Sequence, residues 1–327
     1  MAKKKIRIGL IGCGGNMRNA HIPRLQADGG VELVAVVDTA EEPARLLMQK
    51  WGKETGYYPD YRRMIRSETL DAVMISSPHS THYAQVRYAL ERDLHVLVEK
   101  PLTIGSRQAR ALVDLAKKKK RLLVVSYQRN FYPPHVYARE LVQRGALGKI
   151  TGLVAYVTQR WGGGKGWRMV PELSGGGMFM DTGSHLVSSV LWITGLEPVE
   201  VSAFMDKRGK KVDIDTVVNA RFRNGALGSM NFIGSASRHD ERLAIHGDKA
   251  TLVFHLHQWQ IREVLLDGEP LVLPKRITED SPDAALLRWI RNGGKGYELA
   301  EFAVQVAKFT EAAYRSVERG KPVKVSR

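Results

Sequence analysis

"IGLIGCGGNMRNAH", residues 8–21, is the stretch on which the fold turns. A strand-like run ends at Ile11, glycines follow at 12, 14 and 15, and the chain then becomes compatible with a helix. A glycine loop between a buried strand and a helix lets backbone N–H groups approach a pyrophosphate, and the helix N-terminus adds its dipole. Such a loop alone is also a common tight turn, and Met17 stands where G-x-G-x-x-G would place its third glycine. Asp38 completes the pattern. It closes the apolar run Val31–Val37, where an acid accepts hydrogen bonds from the adenosine ribose. A carboxylate there repels a 2′-phosphate, so the cofactor expected is NAD, with NADP less favoured.

Outward from that loop the chain alternates between two periods. "KIRIGLIG", "VELVAVVD", "DAVMISSP", "HVLVEKP" and "RLLVVSYQ" are short, β-branched runs suited to parallel strands buried on both faces. Helical patterns separate them at Glu41 to Trp51, Thr81 to Arg92 and Ser106 to Lys119. This alternation predicts an α/β Rossmann domain with a doubly wound parallel sheet over residues 1–128. Beyond about residue 148 strand follows strand with only turn residues between, and the Asn-Gly pair of "RNGALG" signals a hairpin. One helix from His185 to Thr194 interrupts the run, and Leu299 to Glu318 is helical again. Residues 129–327 are therefore expected to form an α+β domain on an open-faced, mainly antiparallel sheet, serving substrate binding and oligomerisation.

Composition narrows the function classes. The 327 residues are 43% hydrophobic and 26% charged, an ordinary globular balance with room for two domains. No run approaches the roughly 18 apolar residues of a membrane span. The start "MAKKKIRIGLIGCGG" has a basic head, but its apolar part is short and enters the glycine loop without a cleavage site. One cysteine, Cys13, excludes an internal disulfide and fits a reducing cytoplasm. The net charge of +16 is spread along the chain rather than gathered in an aromatic-laced patch, which argues against nucleic acid. Its densest run, Lys117 to Lys120, follows an amphipathic stretch and suits a solvated helix C-terminus.

Ligands of open parallel sheets sit beyond the carboxyl ends of the strands. "HVLVEKPL" (95–102) puts Glu99 and Lys100 at such an end, with "SSPHSTH" (76–82) and "SYQRN" (126–130) at two others. On this reading Lys100 points at the reacting group, and Glu99 lies against the cofactor or orients the lysine; a solvated ion pair is the plain alternative. The expected cofactor pocket comprises Gly12, Gly14, Gly15, Asn16, Met17, Asp38, Thr39, Ser77, Pro78, His79, His82, Glu99, Lys100 and Gln128. "SGGGMFMDTGSHLVSSVLWITG" (174–195) reads as a glycine hinge followed by Asp181 and His185, four apart and so on one helical face. The carboxylate would orient the imidazole, whose ordinary pKa suits a general base. Trp161 and Trp167 offer stacking faces or core aromatics, and Arg168 binds a substrate anion or pairs with an acid. His79 and His82, three apart and without a carboxylate or cysteine motif, shape the nicotinamide pocket; no metal site is expected.

Gly12-Cys13-Gly14-Gly15, Asp38, "SPHSTH", "EKP" (99–101), "YQRNF", "GALGKI", "WRMVPELSGGGMFMDTGSH" and "GKPVKV" occur in a familiar order. The chain resembles the glucose–fructose oxidoreductase/inositol dehydrogenase (Gfo/Idh/MocA) family over essentially its whole length. Met17 in the phosphate turn and Asn130, where a second arginine is common, depart from the pattern. The resemblance implies that Lys100, Asp181 and His185 match the family's catalytic positions. It implies an NAD-dependent oxidoreductase moving a hydride between the cofactor and a sugar, polyol or related cyclic alcohol, assembled as a homodimer or homotetramer through the second domain's sheet. Trp161, Trp167 and Arg168 would join the catalytic three in holding substrate. Two other readings are an NAD-dependent glycosidase acting by transient oxidation and a non-catalytic nucleotide or sugar sensor. Retention of all three catalytic residues speaks against the sensor.

Overall fold

A computed structural model describes residues 5–162, 164–257, 259–294 and 296–326. Its chain divides into two compact units. The first takes Met1–Thr103, Arg107–Ser126 and Ser281–Val304; the second takes Ile104–Ser106, Tyr127–Asp280 and Gln305–Arg327. Two consecutive segments cut at residue 128 do not describe this division, because Ser281–Val304 returns to the first unit after the second has been built.

The first unit holds β1 (Ile6–Ile11), β2 (Val31–Val37), β3 (Gly56–Tyr58), β4 (Ala72–Ile75), β5 (His95–Glu99) and β6 (Leu123–Ser126). They form a parallel sheet in the order β3-β2-β1-β4-β5-β6. Every residue of β4 and β6 is buried, which is why these strands read as unbroken apolar runs. Strand order reverses between β1 and β4, the kind of switch point at which open parallel sheets bind ligands beyond the carboxyl ends of their strands. Edge strand β3 and the helices Ile22–Asp28 and Tyr61–Ser67 are too short, at three to seven residues, for periodicity to announce them. The lysine run ends the helix Ser106–Lys119, with Lys117 paired to Glu301 and Lys119 to Asp93 at 3.2 Å.

The second unit is built on β7 (Ile150–Arg160), β8 (Pro198–Asp206), β9 (Asp215–Phe222), β10 (Leu227–Ile233), β11 (Ser235–Gly247), β12 (Thr251–His257), β13 (Gln260–Leu266), β14 (Glu269–Pro270) and β15 (Val323–Lys324). Their order is β14-β13-β12-β11-β7-β10-β9-β8-β15, antiparallel throughout except for the β7–β10 pair. Asn224 and Gly225 turn β9 into β10, with Gly225 at φ +92° where a side chain would be strained. One face of the sheet packs Val157, Val218, Met230, Phe232 and Phe254 into the core. On the other, Val154, Leu227 and Phe204 are 50, 56 and 74% exposed.

Gly175–Gly177 is not a hinge. A Cβ on Gly176 would lie 2.1 Å from the Tyr314 hydroxyl, and one on Gly177 would lie 1.8 Å from the carbonyl oxygen of Asp213. The glycines are required by close packing rather than by flexibility. Gly177→Ala should therefore cost about 1–3 kcal/mol or more by overpacking, and thermal unfolding should show a lowered midpoint. Gly105→Ala, where a Cβ meets nothing within 4 Å, should stay within about 0.5 kcal/mol of wild type.

Candidate functional site

At the mouth of the parallel sheet the glycine turn is set by contact with its neighbours. Gly12 adopts φ +87°, and a Cβ there would stand 2.7 Å from the Ser76 carbonyl. Its N–H donates to Val37 O at 2.8 Å. The Cys13 N–H donates to one oxygen of Asp38 at 2.8 Å, and the Ala40 N–H to the other at 3.0 Å. Asp38 thus braces the turn, and each carboxylate oxygen keeps a further lone pair for a ligand. Thr39 beside it is exposed. Gly14 and Gly15 are exposed as well, and a Cβ on Gly14 would meet nothing within 4 Å. An open backbone at a helix start, next to a carboxylate at the end of β2, fits a dinucleotide.

Two details of this turn were not legible in sequence. Residues Met17–His21 wind as a π-helical turn before the helix Ile22–Asp28, a wider turn that recurs at functional sites. It drives Met17 fully into the core, so the residue expected to line the cofactor pocket packs inside the domain instead. Burial, and then the charge of Asp38, push the Cys13 thiol up to about 12, which leaves it inert.

The "SSPHSTH" segment satisfies itself. Ser77 Oγ bonds Gln85 at 2.6 Å and Thr81 Oγ1 at 2.8 Å, while the Thr81 hydroxyl donates to Pro78 O at 2.7 Å. His82 is fully buried with Nδ1 2.8 Å from Pro101 O and Nε2 3.0 Å from Ser77 O, and burial lowers its pKa. His82 therefore ties this turn to the residue after Lys100, with its ring edge on that of the buried His79. Among the described residues, no group of three or more His, Cys, Asp or Glu is arranged to hold a metal.

Glu99 meets neither solvent nor a simple partner. Its Oε1 lies 3.0 Å from His21 Nε2, and His21 Nδ1 lies 2.6 Å from Asp283 Oδ1. Arg24 reaches the other oxygen of Asp283 at 3.1 Å. Glu99 Oε2 accepts the Lys100 N–H at 3.3 Å. Burial alone would lower the His21 pKa, but Asp283 and Glu99 reverse that and raise it to about 10. Burial would raise Glu99, yet the His21 hydrogen bond and the charges of His21 and Lys100 hold it at about 2. The proton stays on the imidazole, so this is a fixed ionic bridge rather than a proton relay.

In the second unit, Asp181 lies in another π-helical turn, Phe179–Gly183, and His185 is the second residue of the helix Ser184–Thr194. The wider turn replaces the regular spacing from which a shared face was expected. Asp181 Oδ2 accepts Arg168 Nε at 2.8 Å, and the Arg168 guanidinium stacks 4.4 Å over Trp167. Trp161, Arg168 and Asp181 come together in a pocket of about 680 Å³ that Gln159, Arg160, Gly164, Thr182 and Trp259 also line. Trp167 supports Arg168 from behind and is not part of that lining. Trp259, missed in sequence, stands between β12 and β13 at φ +70°, its ring 5.6 Å from that of His185. The available signal was an aromatic at a hairpin turn, where Gly or Asn is the usual occupant. Gln128 is half-buried beside Arg129, which forms a buried fork with Glu241. Asn130 is buried, and its amide has no partner among the described residues. Buried amides of that kind are satisfied by water or a ligand.

Residues 6–127 match the family model described as "Oxidoreductase family, NAD-binding Rossmann fold", and residues 135–253 match "GFO/IDH/MocA C-terminal domain". Escherichia coli D-glucoside 3-dehydrogenase is 31% identical over 202 residues, which is 61% of this chain and 57% of that protein. Thermotoga maritima myo-inositol 2-dehydrogenase is 30% identical over 258 residues, covering 76% of this chain and 74% of that protein. The WlbA dehydrogenase from Bordetella pertussis, solved with NADH and UDP-GlcNAcA, shares the fold with a TM-score of 0.86 at 23% identity, covering 99% of this chain and all of that one.

The ionic bridge has a pH signature. Its His21 share of stability is complete below the ordinary value of 6.5 and fades as pH rises through about 10. The Glu99 share is complete above 4.5 and fades as pH falls through about 2. Denaturant titrations across pH should therefore find the bridge strongest between pH 4.5 and 6.5. Asp283→Asn should flatten the decline above that window, because the imidazole then has less stabilisation to lose.

Proposed function

Because the chain belongs to the Gfo/Idh/MocA oxidoreductase family, we propose that it is an NAD-dependent dehydrogenase acting on a CH–OH group of a sugar, polyol or related cyclic alcohol. The observation that carries this reading is Lys100. The residue is only 9% exposed, just past the carboxyl end of β5, in the same sheet mouth as the glycine turn. A buried ammonium in that place is suited to a developing alkoxide rather than to solvent.

Each residue then has a task. Gly12, Gly14 and Gly15 leave backbone room for the pyrophosphate, and Asp38 accepts from the ribose and repels a 2′-phosphate, which favours NAD over NADP. When bound, the nicotinamide supplies the hydride acceptor or donor. Lys100 hydrogen-bonds the substrate hydroxyl, and His185 takes its proton as general base. Asp181, its carboxylate aimed by Arg168, orients the polar side of the pocket. Trp161 and Trp259 present faces to the apolar side of a sugar ring. The pocket volume is within the range of small-molecule sites.

A homo-oligomer and a cytoplasmic location belong to the same proposal. Phe204, Leu227 and Val154 share the uncovered face of the nine-stranded sheet, an arrangement that another copy of the chain would cover. A single cysteine suits a reducing compartment. Among the described residues, no helix is long and apolar enough to cross a membrane.

A panel of sugars and polyols offered with NAD and with NADP, followed by NADH or NADPH absorbance, should reveal turnover that is faster with NAD. Lys100→Ala should lower turnover by about 10²–10³ and His185→Ala by about 10²–10⁴, with NAD affinity retained in both. Near-normal turnover in both variants would remove the catalytic assignment. Light scattering at micromolar concentration should give a dimer or tetramer that Phe204→Glu weakens; a stable wild-type monomer would count against the assembly.

A further inference from the structure

The bridge around His21 joins three segments: the π-helical turn after the glycine loop, the end of β5, and the helix Pro282–Asn292. The imidazole is fully buried, and both of its nitrogens face carboxylate oxygens, at 2.6 and 3.0 Å. Ionised carboxylates only accept hydrogen bonds, so both nitrogens must donate and the ring is an imidazolium. Asp283 is held for this contact by its position in the first turn of a helix whose Ser281 caps the Ala284 N–H at 3.1 Å, and by Arg24 on its second oxygen. Asn16 of the glycine loop lies 3.4 Å from the same imidazole edge that faces Glu99.

Glu99 is 8% exposed and precedes Lys100 directly. A buried carboxylate demands a positive partner. With the imidazolium in place that demand is met from the His21 side, while Oε2 accepts the backbone N–H of Lys100. Without it, the cation left to answer that demand is the ammonium of Lys100, whose charge already acts on Glu99. The carboxylate would then draw the lysine away from its reactant. We propose that His21, fixed by Asp283 from the returning helix, is a positioning residue for Lys100. This rests on the reading of Lys100 as the catalytic lysine.

The test compares wild type, Asp283→Asn, Asp283→Glu, His21→Gln and Lys100→Ala at matched folded fraction, with kcat and NAD affinity measured across pH. His21→Gln should lower kcat by about 10- to 100-fold at every pH, as expected when a reacting group is misplaced. Asp283→Asn should behave like wild type near about pH 6, where an imidazole beside Glu99 is still charged, and lose about tenfold or more in kcat by about pH 9. Asp283→Glu should restore the wild-type profile, and NAD affinity should be retained throughout. A purely structural role would lower stability without bending the pH profile of kcat. Unchanged profiles in Asp283→Asn, with His21→Gln within twofold of wild type, would overturn the proposal and leave the catalytic reading intact if Lys100→Ala is inactive. An active Lys100→Ala would overturn both. Should the variants not fold, nuclear magnetic resonance of histidine-labelled native protein decides: a doubly protonated His21 at about pH 8 supports the proposal, and a neutral ring there overturns it.

Discussion

An imidazolium buried between two carboxylates is the interaction on which the first unit depends. Removing such charges from water costs several kcal/mol per ion, on the order of what a whole domain has in reserve. The arrangement survives because every member is paired: His21 with both acids, Asp283 also with Arg24, and Glu99 also with the Lys100 backbone. Its effect is to fasten a helix 262 positions away onto the start of the chain. Arg291 with Asp28 and Lys117 with Glu301 secure the same returning segment at its periphery. Those outer pairs are half-exposed and worth little each; the buried bridge is what requires the segment to be there.

Asp213 plays the corresponding part in the second unit. Its carboxylate accepts from the Gly177 N–H at 2.6 Å, the Phe179 N–H at 2.9 Å and the Tyr314 hydroxyl at 2.7 Å. The main chain of Gly177 must lie directly against that of Asp213 for these bonds to form, which accounts for the absence of a side chain there. The bonds set the entry of the chain into the turn that carries Asp181. In each unit, then, a carboxylate brought from elsewhere in the sequence holds a π-helical turn, and the turn presents a candidate functional residue.

The two units differ in how their site residues are held. At the glycine turn most polar groups are satisfied by neighbours on the same sheet, and the open positions are glycine backbone. In the pocket of the second unit the donors are side chains, Arg168 and Gln159, each already tied at one atom to Asp181 or Thr182. A ligand there would meet groups whose rotamers are already fixed, which lowers the entropy lost on binding.

Local sequence was sufficient wherever local physics decides. Continuous β-branched runs dictated the buried parallel strands, glycines after β1 dictated the turn, and alternation with Asn224-Gly225 dictated the antiparallel hairpin, because each depends on neighbours a few residues apart. Asp38, Glu99 and Lys100 were legible for the same reason, as charges placed where apolar strands end. Tertiary structure alone decided what those charges meet. Nothing near Glu99 in sequence names His21 or Asp283 as its partners, nothing near Asp181 names the role of Arg168, and no period reveals that Ser281–Val304 rejoins the first unit. The glycines at 175–177 read as flexible and prove to be packed, because the atom that excludes a Cβ at Gly177 belongs to Asp213. Contacts across long separations are fixed by what must be buried and neutralised together, and that requirement is written in space rather than in spacing.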